Sequence, residues 1–205
     1  SRNADNILIG KFIGADALGL YSRAYNLFMM PISQIRSPLD QVVLPALSAI
    51  RDDPKRYSKY YQRFLDILAS LTIPLTIYCA LEAHFLIQLI LGSQWLAAVD
   101  VFRVLAVAGM IQAVAGTRGV VLLSHGFSTR YFYLGLFYAI FCIASFVIGL
   151  PFGIIGVATA YTIFNYLAFF PSLYYSFYNT PITIRLFLKT IAPSIGSSML
   201  AATAV

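Results

Sequence analysis

Arg23, Arg36 and Arg118 stand inside otherwise apolar sequence, with Asp40 four residues after Arg36 and Asn3 and Asp5 near the start. A guanidinium stays charged, and its planar fork donates paired hydrogen bonds, so arginine in such surroundings suits phosphate or carboxylate recognition. Charges at membrane depth are expensive and face a bundle interior or a water-filled cavity, where they mark a pathway. The stretch from Asn3 to Ser48 holds two of these arginines together with Pro31, Pro38 and Pro45. It is therefore the first candidate for the working part.

Each of these groups also has a plainer reading. Arg36 and Asp40 share one helix face and can neutralise each other as a packing pair. Arg118, six residues before Ser124, and Arg23, near the end of its span, can both snorkel to an interface. Arg23 and Arg36 are thirteen positions apart, which sets them roughly 140° from a common face on an ideal helix, an angle that a kink at Pro31 would change. Gln112 and Asn165 read as interhelical hydrogen bonds. Glu82 and His84 fall near an interface, and the tyrosines at 131, 133, 174, 175 and 178 crowd span ends as an aromatic belt does.

Positioning such groups requires a membrane bundle. Of the 205 residues, 60% are hydrophobic and 11% charged, with a mean hydropathy of +0.78. A soluble domain is about half apolar and about a quarter charged, so this chain lacks the side chains to coat a water-facing surface. An all-α, polytopic membrane helical bundle is expected, with roughly six spans at about 20 residues each. The net charge of +6 does not point to nucleic acid, because lysines and arginines gather at span ends. Cys79 and Cys142 lie in apolar runs without ligand spacing, so buried thiols are expected and no metal site.

A short turn across Gly14 to Gly19 is expected to join two helical pieces. Leu18 to about Ile50 is longer than one span requires, and its prolines are expected to kink it or end it early. Further spans are expected at Phe64 to about Ala83, Val101 to Ser124, Tyr131 to Leu150, Gly153 to about Tyr178 and Leu186 to Val205, the last truncated. Gly153, Gly156 and Ala160 place small side chains on one face, which permits close helix approach. Arg51, Lys55, Arg56, Lys59 and Arg63 crowd one loop, residues 92–99 carry no lysine or arginine, Arg130 marks the next loop, residues 150–153 are uncharged, and Arg185 and Lys189 follow. This alternation puts the basic loops in the cytoplasm. The chain opens without methionine and closes inside an apolar run, so residues 1–205 are expected to be one transmembrane bundle cut from a longer protein.

Asn3-x-Asp5, Ile9-Gly10, Ile13-Gly14, Leu18-Gly19-x-Tyr21, Ala24, Pro31 and Val43-Leu44-Pro45-Ala46-Leu47-Ser48 follow one another along the opening stretch. With Tyr57 to Arg63, Ile73-Pro74 and Leu91-Gly92-x-x-Trp95-x-x-Ala98 behind them, they resemble the Wzx-like polysaccharide flippases of the multidrug/oligosaccharidyl-lipid/polysaccharide exporter superfamily. The ordered agreement covers roughly the first half; the second half agrees mainly in hydropathy and loop length. The resemblance implies about half of a two-bundle exporter, most of its C-terminal bundle, in the bacterial inner membrane. It implies a transporter rather than an enzyme, without cofactor. Its partners would be the bilayer and a lipid-linked oligosaccharide, an undecaprenyl-diphosphate-linked unit flipped by alternating access for O antigen, capsule or exopolysaccharide synthesis.

On that resemblance Arg23, Arg36 and Arg118 are the substrate-binding candidates, and Asn3, Asp5 and Asp40 the candidates for coupling or for the polar lining of the cavity. Packing or capping is the plainer reading of Asn3 and Asp5. A cation-coupled drug exporter of the same superfamily is the alternative, against which Asp40 is the only acid deep in the spans. A membrane polysaccharide polymerase or ligase would need catalytic side chains on a sizeable outer loop, and the two outer loops expected here are short.

Overall fold

A computed structural model of the chain describes residues 4–202. Among them the regular elements are all helical: α1 Ala4–Phe12, α2 Ala15–Ala49, α3 Pro54–Leu81, α4 Ala83–Ile90, α5 Val99–Ala115, α6 Thr117–Ser124, α7 Ser128–Gly149, α8 Gly153–Phe177 and α9 Ile184–Ala202. Single 3₁₀ turns at Ser93–Ala98 and Leu150–Phe152 link α4 to α5 and α7 to α8. Pro54–Leu81, Ser93–Ser124 and Ser128–Phe177 are long and apolar enough to cross a membrane. The fold is the all-α membrane helical bundle that the composition calls for.

Local chemistry sets the boundaries. Asp53 caps α3 by accepting a hydrogen bond from the Arg56 amide at 3.1 Å, with Pro54 filling the first turn, where no amide donor is needed. The helix therefore begins ten residues before Phe64, carrying the basic loop's charges on its first turns. The turn expected across Gly14 to Gly19 is confined to Ile13 and Gly14, and α2 starts at Ala15. Of the two outcomes expected of the prolines, the early end does not occur: α2 runs for 35 residues through Pro31, Pro38 and Pro45, about 52 Å at 1.5 Å per residue. Each proline leaves the carbonyl four positions earlier without its helical donor, a loss that neighbours or a wet cleft can make good in a bundle.

Two apolar cores divide the bundle, and α2 belongs to both. Tyr21, Ala24, Phe28 and Ile32 enter one core with Phe102, Leu105, Phe146 and Val157, while Val43 and Leu47 enter the other with Tyr61, Leu68, Val121 and Phe187. Between Ile32 and Val43 no residue of α2 is buried. The longest helix thus carries its polar middle at the junction of the cores.

α7 and α8 form an antiparallel hairpin, registered by Phe141 stacked on Phe164 at 5.8 Å and by Phe146 near Tyr161 at 5.5 Å. The close approach is at Gly149 and Gly156, whereas Gly153, expected on the same packing face, serves the turn with φ +71°. A Cβ on Gly149 would lie 2.6 Å from both the Gly156 carbonyl oxygen and the Val157 Cα. Gly149→Ala must therefore spread the hairpin and is expected to cost about 1–3 kcal/mol, measured as a fall in thermal unfolding temperature of detergent-purified protein. Gly135→Ala on the same helix, where the added atom meets nothing within 4 Å, is expected to be neutral or to stabilise by up to about 1 kcal/mol.

Candidate polar cleft on the second helix

A cleft of about 510 Å³ opens along the unburied middle of α2. Ser33, Arg36, Ser37, Asp40 and Gln41 of α2 line it, together with Gln112 of α5. Arg36 Nε donates to Asp40 Oδ2 at 3.0 Å, and both side chains remain about a third exposed. The i, i+4 pairing expected from the sequence is therefore made, and it is made inside the cleft, so the packing and cavity readings of Arg36 are not exclusive. Asp40 Oδ1 is buried and has no hydrogen-bond partner among the described residues.

Beside the cleft, two glycines let α2 side chains approach the backbone of α5 and of its joint with α6. Phe28 presses on Gly109 and the Arg36 guanidinium on Gly116, positions where any Cβ would collide with them. Gly116 is also where α5 ends and α6 begins. Side chains take up carbonyls beside this break: Thr117 Oγ1 donates to Val114 at 2.8 Å, and Arg118 Nε donates to Ala115 at 2.5 Å. α3 is tied to the same place, with the Tyr61 hydroxyl 2.8 Å from Thr117 Oγ1 and the Tyr57 hydroxyl 2.7 Å from Ser124 Oγ. Gln112 donates to the Tyr161 hydroxyl at 2.7 Å, the interhelical bond expected of it, while Asn165 donates within its own helix to the Tyr161 carbonyl.

The other candidate arginines lie elsewhere. Arg118 does not snorkel: it is 8% exposed and turned toward α7 and α8, where Nη1 donates to the Tyr138 hydroxyl at 2.9 Å and also to Ser172 Oγ. Its guanidinium lies over the Tyr138 ring at 5.1 Å, a cation–π contact. Arg23 is exposed and sits over the Trp95 ring at 5.6 Å, away from the cleft. Asn3 lies outside the described residues, and Asp5 falls in α1 with its side chain outside them. Sequence reasoning missed Gly116, Tyr61, Tyr138 and Ser172. A glycine beside a charge in an apolar run, as in Gly116-Thr117-Arg118, was the available signal.

An all-helical bundle with three segments long and apolar enough to cross a membrane is the architecture of a multi-pass membrane protein. Residues 1–100 match the model of a family described as "Polysaccharide biosynthesis protein". The chain is similar to the teichuronic acid biosynthesis protein TuaB of Bacillus subtilis, 33% identical over 131 residues, which are 64% of this chain and 27% of that protein. It is also similar to the lipopolysaccharide biosynthesis protein WzxC of Escherichia coli, 22% identical over 147 residues, 72% of this chain and 30% of that protein, and to the amylovoran biosynthesis protein AmsL of Erwinia amylovora, 21% identical over 130 residues, 63% of this chain and 34% of that protein. The matched part thus spans about a third or less of each of these relatives. No solved structure matches. Over the part that these matches cover, the chain is similar to polysaccharide biosynthesis proteins, and its long apolar helices fit a multi-pass protein of the bacterial inner membrane.

Two kinds of arginine follow, and stability separates them. Arg118→Ala removes three hydrogen bonds from a charged, buried donor and is expected to cost about 3 kcal/mol or more. Arg23→Ala, which gives up one exposed ring contact, is expected to cost under about 1 kcal/mol. Thermal unfolding of the purified protein compares them, and equal losses would remove the assignment of Arg118 as a buried tie.

Proposed function

We propose that the whole protein flips an undecaprenyl-diphosphate-linked oligosaccharide from the cytoplasmic to the periplasmic leaflet by alternating access. On this reading the chain supplies about half of a two-bundle exporter, with α2, α3, α5–α6, α7, α8 and α9 as its crossings. The observation that carries the reading is the Arg36–Asp40 pair in the cleft at the junction of the two cores. A lipid-linked diphosphate sugar needs a cationic, hydrated site for its head, while its tail stays in hydrocarbon.

The pair suits transient binding. Asp40 takes only Nε of Arg36, and among the described residues one carboxylate oxygen of Asp40 has no partner, so neither group is saturated by the other. A diphosphate oxygen can take the remaining guanidinium donors without opening a bidentate ion pair. Ser33, Ser37, Gln41 and Gln112 offer hydroxyl and amide groups for sugar hydroxyls beside it. Asp40 serves as the counter-ion to which Arg36 returns once the substrate leaves, which also fits a coupling role for this acid. The relatives' names speak of teichuronic acid, lipopolysaccharide and amylovoran biosynthesis, which supports a sugar polymer precursor as the cargo. A cation-coupled drug exporter would have less use for a fixed cation here.

Arg36→Ala in the full-length protein is expected to lower translocation about tenfold or more, the worth of one hydrogen bond to a charged group, without lowering protein level. The readout is undecaprenyl-diphosphate-linked sugar on each face of the inner membrane. Cytoplasmic accumulation with loss of surface polymer supports the assignment. Unchanged translocation removes Arg36 from it, and a full-gene deletion that leaves both pools normal removes the flippase reading itself.

A further inference from the structure

The starts of α3 and α9 enclose a second cleft, of about 300 Å³, lined by Gln62, Thr183, Arg185, Leu186 and Lys189. Arg185 and Lys189 are exposed and four residues apart, so they stand together on one face of α9. Neither has a carboxylate within ion-pair distance: among the described residues the ion pairs are Arg36–Asp40, Arg51–Asp52 and Arg103–Asp100. Asp66, one turn along α3 from Gln62, pairs with neither of them. Ser58 Oγ donates to the Pro181 carbonyl at 3.1 Å, which holds the start of α3 against the segment leading into α9. Exposed Lys55, Arg56, Lys59 and Arg63 therefore share this end of the bundle.

We propose that this cleft holds the headgroup of an anionic phospholipid of the cytoplasmic leaflet, with its phosphate between Arg185 and Lys189. Three features favour a lipid over a soluble anion. The cleft lies between two helices of a membrane bundle, at the end whose basic loops place it at the cytoplasmic surface, where anionic lipids meet basic pockets. Leu186 gives it an apolar side beside the cationic rim, and Phe187, next to it, is fully buried in the core below. Gln62 adds an amide that can bond phosphate or glycerol oxygens. Lys55 and Arg56, on the exposed first turn of α3, attract the same membrane surface only diffusely. The site is separate from the α2 cleft and does not depend on what that cleft carries.

The test is native mass spectrometry of the full-length protein in detergent, titrated with phosphatidylglycerol or phosphatidylcholine. Phosphatidylglycerol is expected to stay bound at concentrations where phosphatidylcholine does not. R185Q/K189Q is expected to weaken its binding about thirtyfold, the combined effect of two basic residues at the surface. K55Q/R56Q, with the same loss of charge outside the cleft, acts only through salt-screened attraction and is expected to weaken it less than about threefold. R185K/K189R keeps the charge and is expected to bind as the parent does, which separates loss of the site from loss of fold. Equal weakening by the two glutamine pairs, equal retention of phosphatidylcholine, or full competition by glycerol 3-phosphate would each overturn the proposal.

Discussion

Arg36 lies where it does because residue 116 has no side chain. Its guanidinium occupies the space that a Cβ would fill, and that same glycine is the joint between α5 and α6. One small residue thus lets a charge approach a helix axis and breaks the helix at the point of approach. The break frees carbonyls, and buried polar groups must be paired, so Thr117 and Arg118 turn back onto Val114 and Ala115. Thr117 then meets Tyr61 of α3, and Arg118 meets Tyr138 of α7 and Ser172 of α8. The polar centre of the bundle grows outward from that single contact, through neighbours each of which satisfies the last.

The two inner arginines show how burial divides roles. Arg118 has its charge spread over a carbonyl, two hydroxyls and an aromatic face, with almost no exposure. Removing such a group leaves partners unpaired, which is why it reads as part of the frame. Arg36 has one bond to Asp40 and an open cleft beside it. A single ion pair left about a third exposed adds little to stability.

Much of this was legible in the sequence, and the rest was not for identifiable reasons. Composition alone gave the class, and the i, i+4 spacing gave the Arg36–Asp40 pair, because both depend on local order in the chain. The partners of Arg118 come from positions 20 and 54 residues later, contacts that hydropathy cannot supply, so snorkelling was the natural reading of a charge near a span end. The three prolines read as kinks or as an early end because Pro removes a backbone donor from a helix. In α2 their seven-residue spacing puts them near one face, since seven residues fall only about 20° short of two turns. Pro38 and Pro45 are exposed, so the helix bears them along one side without losing its buried stripe.

That stripe explains why the cleft lies where it does. α2 is anchored at both ends, by Tyr21 to Ile32 in one core and by Val43 and Leu47 in the other, and an anchored helix can carry unburied, polar residues in between. A polar middle on a helix held at one end only would be free to swing out toward lipid or water. Here it lies against Gly116, where α5 meets α6, and beside Gln112 of α5, which is already bonded to Tyr161. The charged pair is thus held in a defined place by apolar packing several turns away on either side, while its own side chains stay about a third exposed.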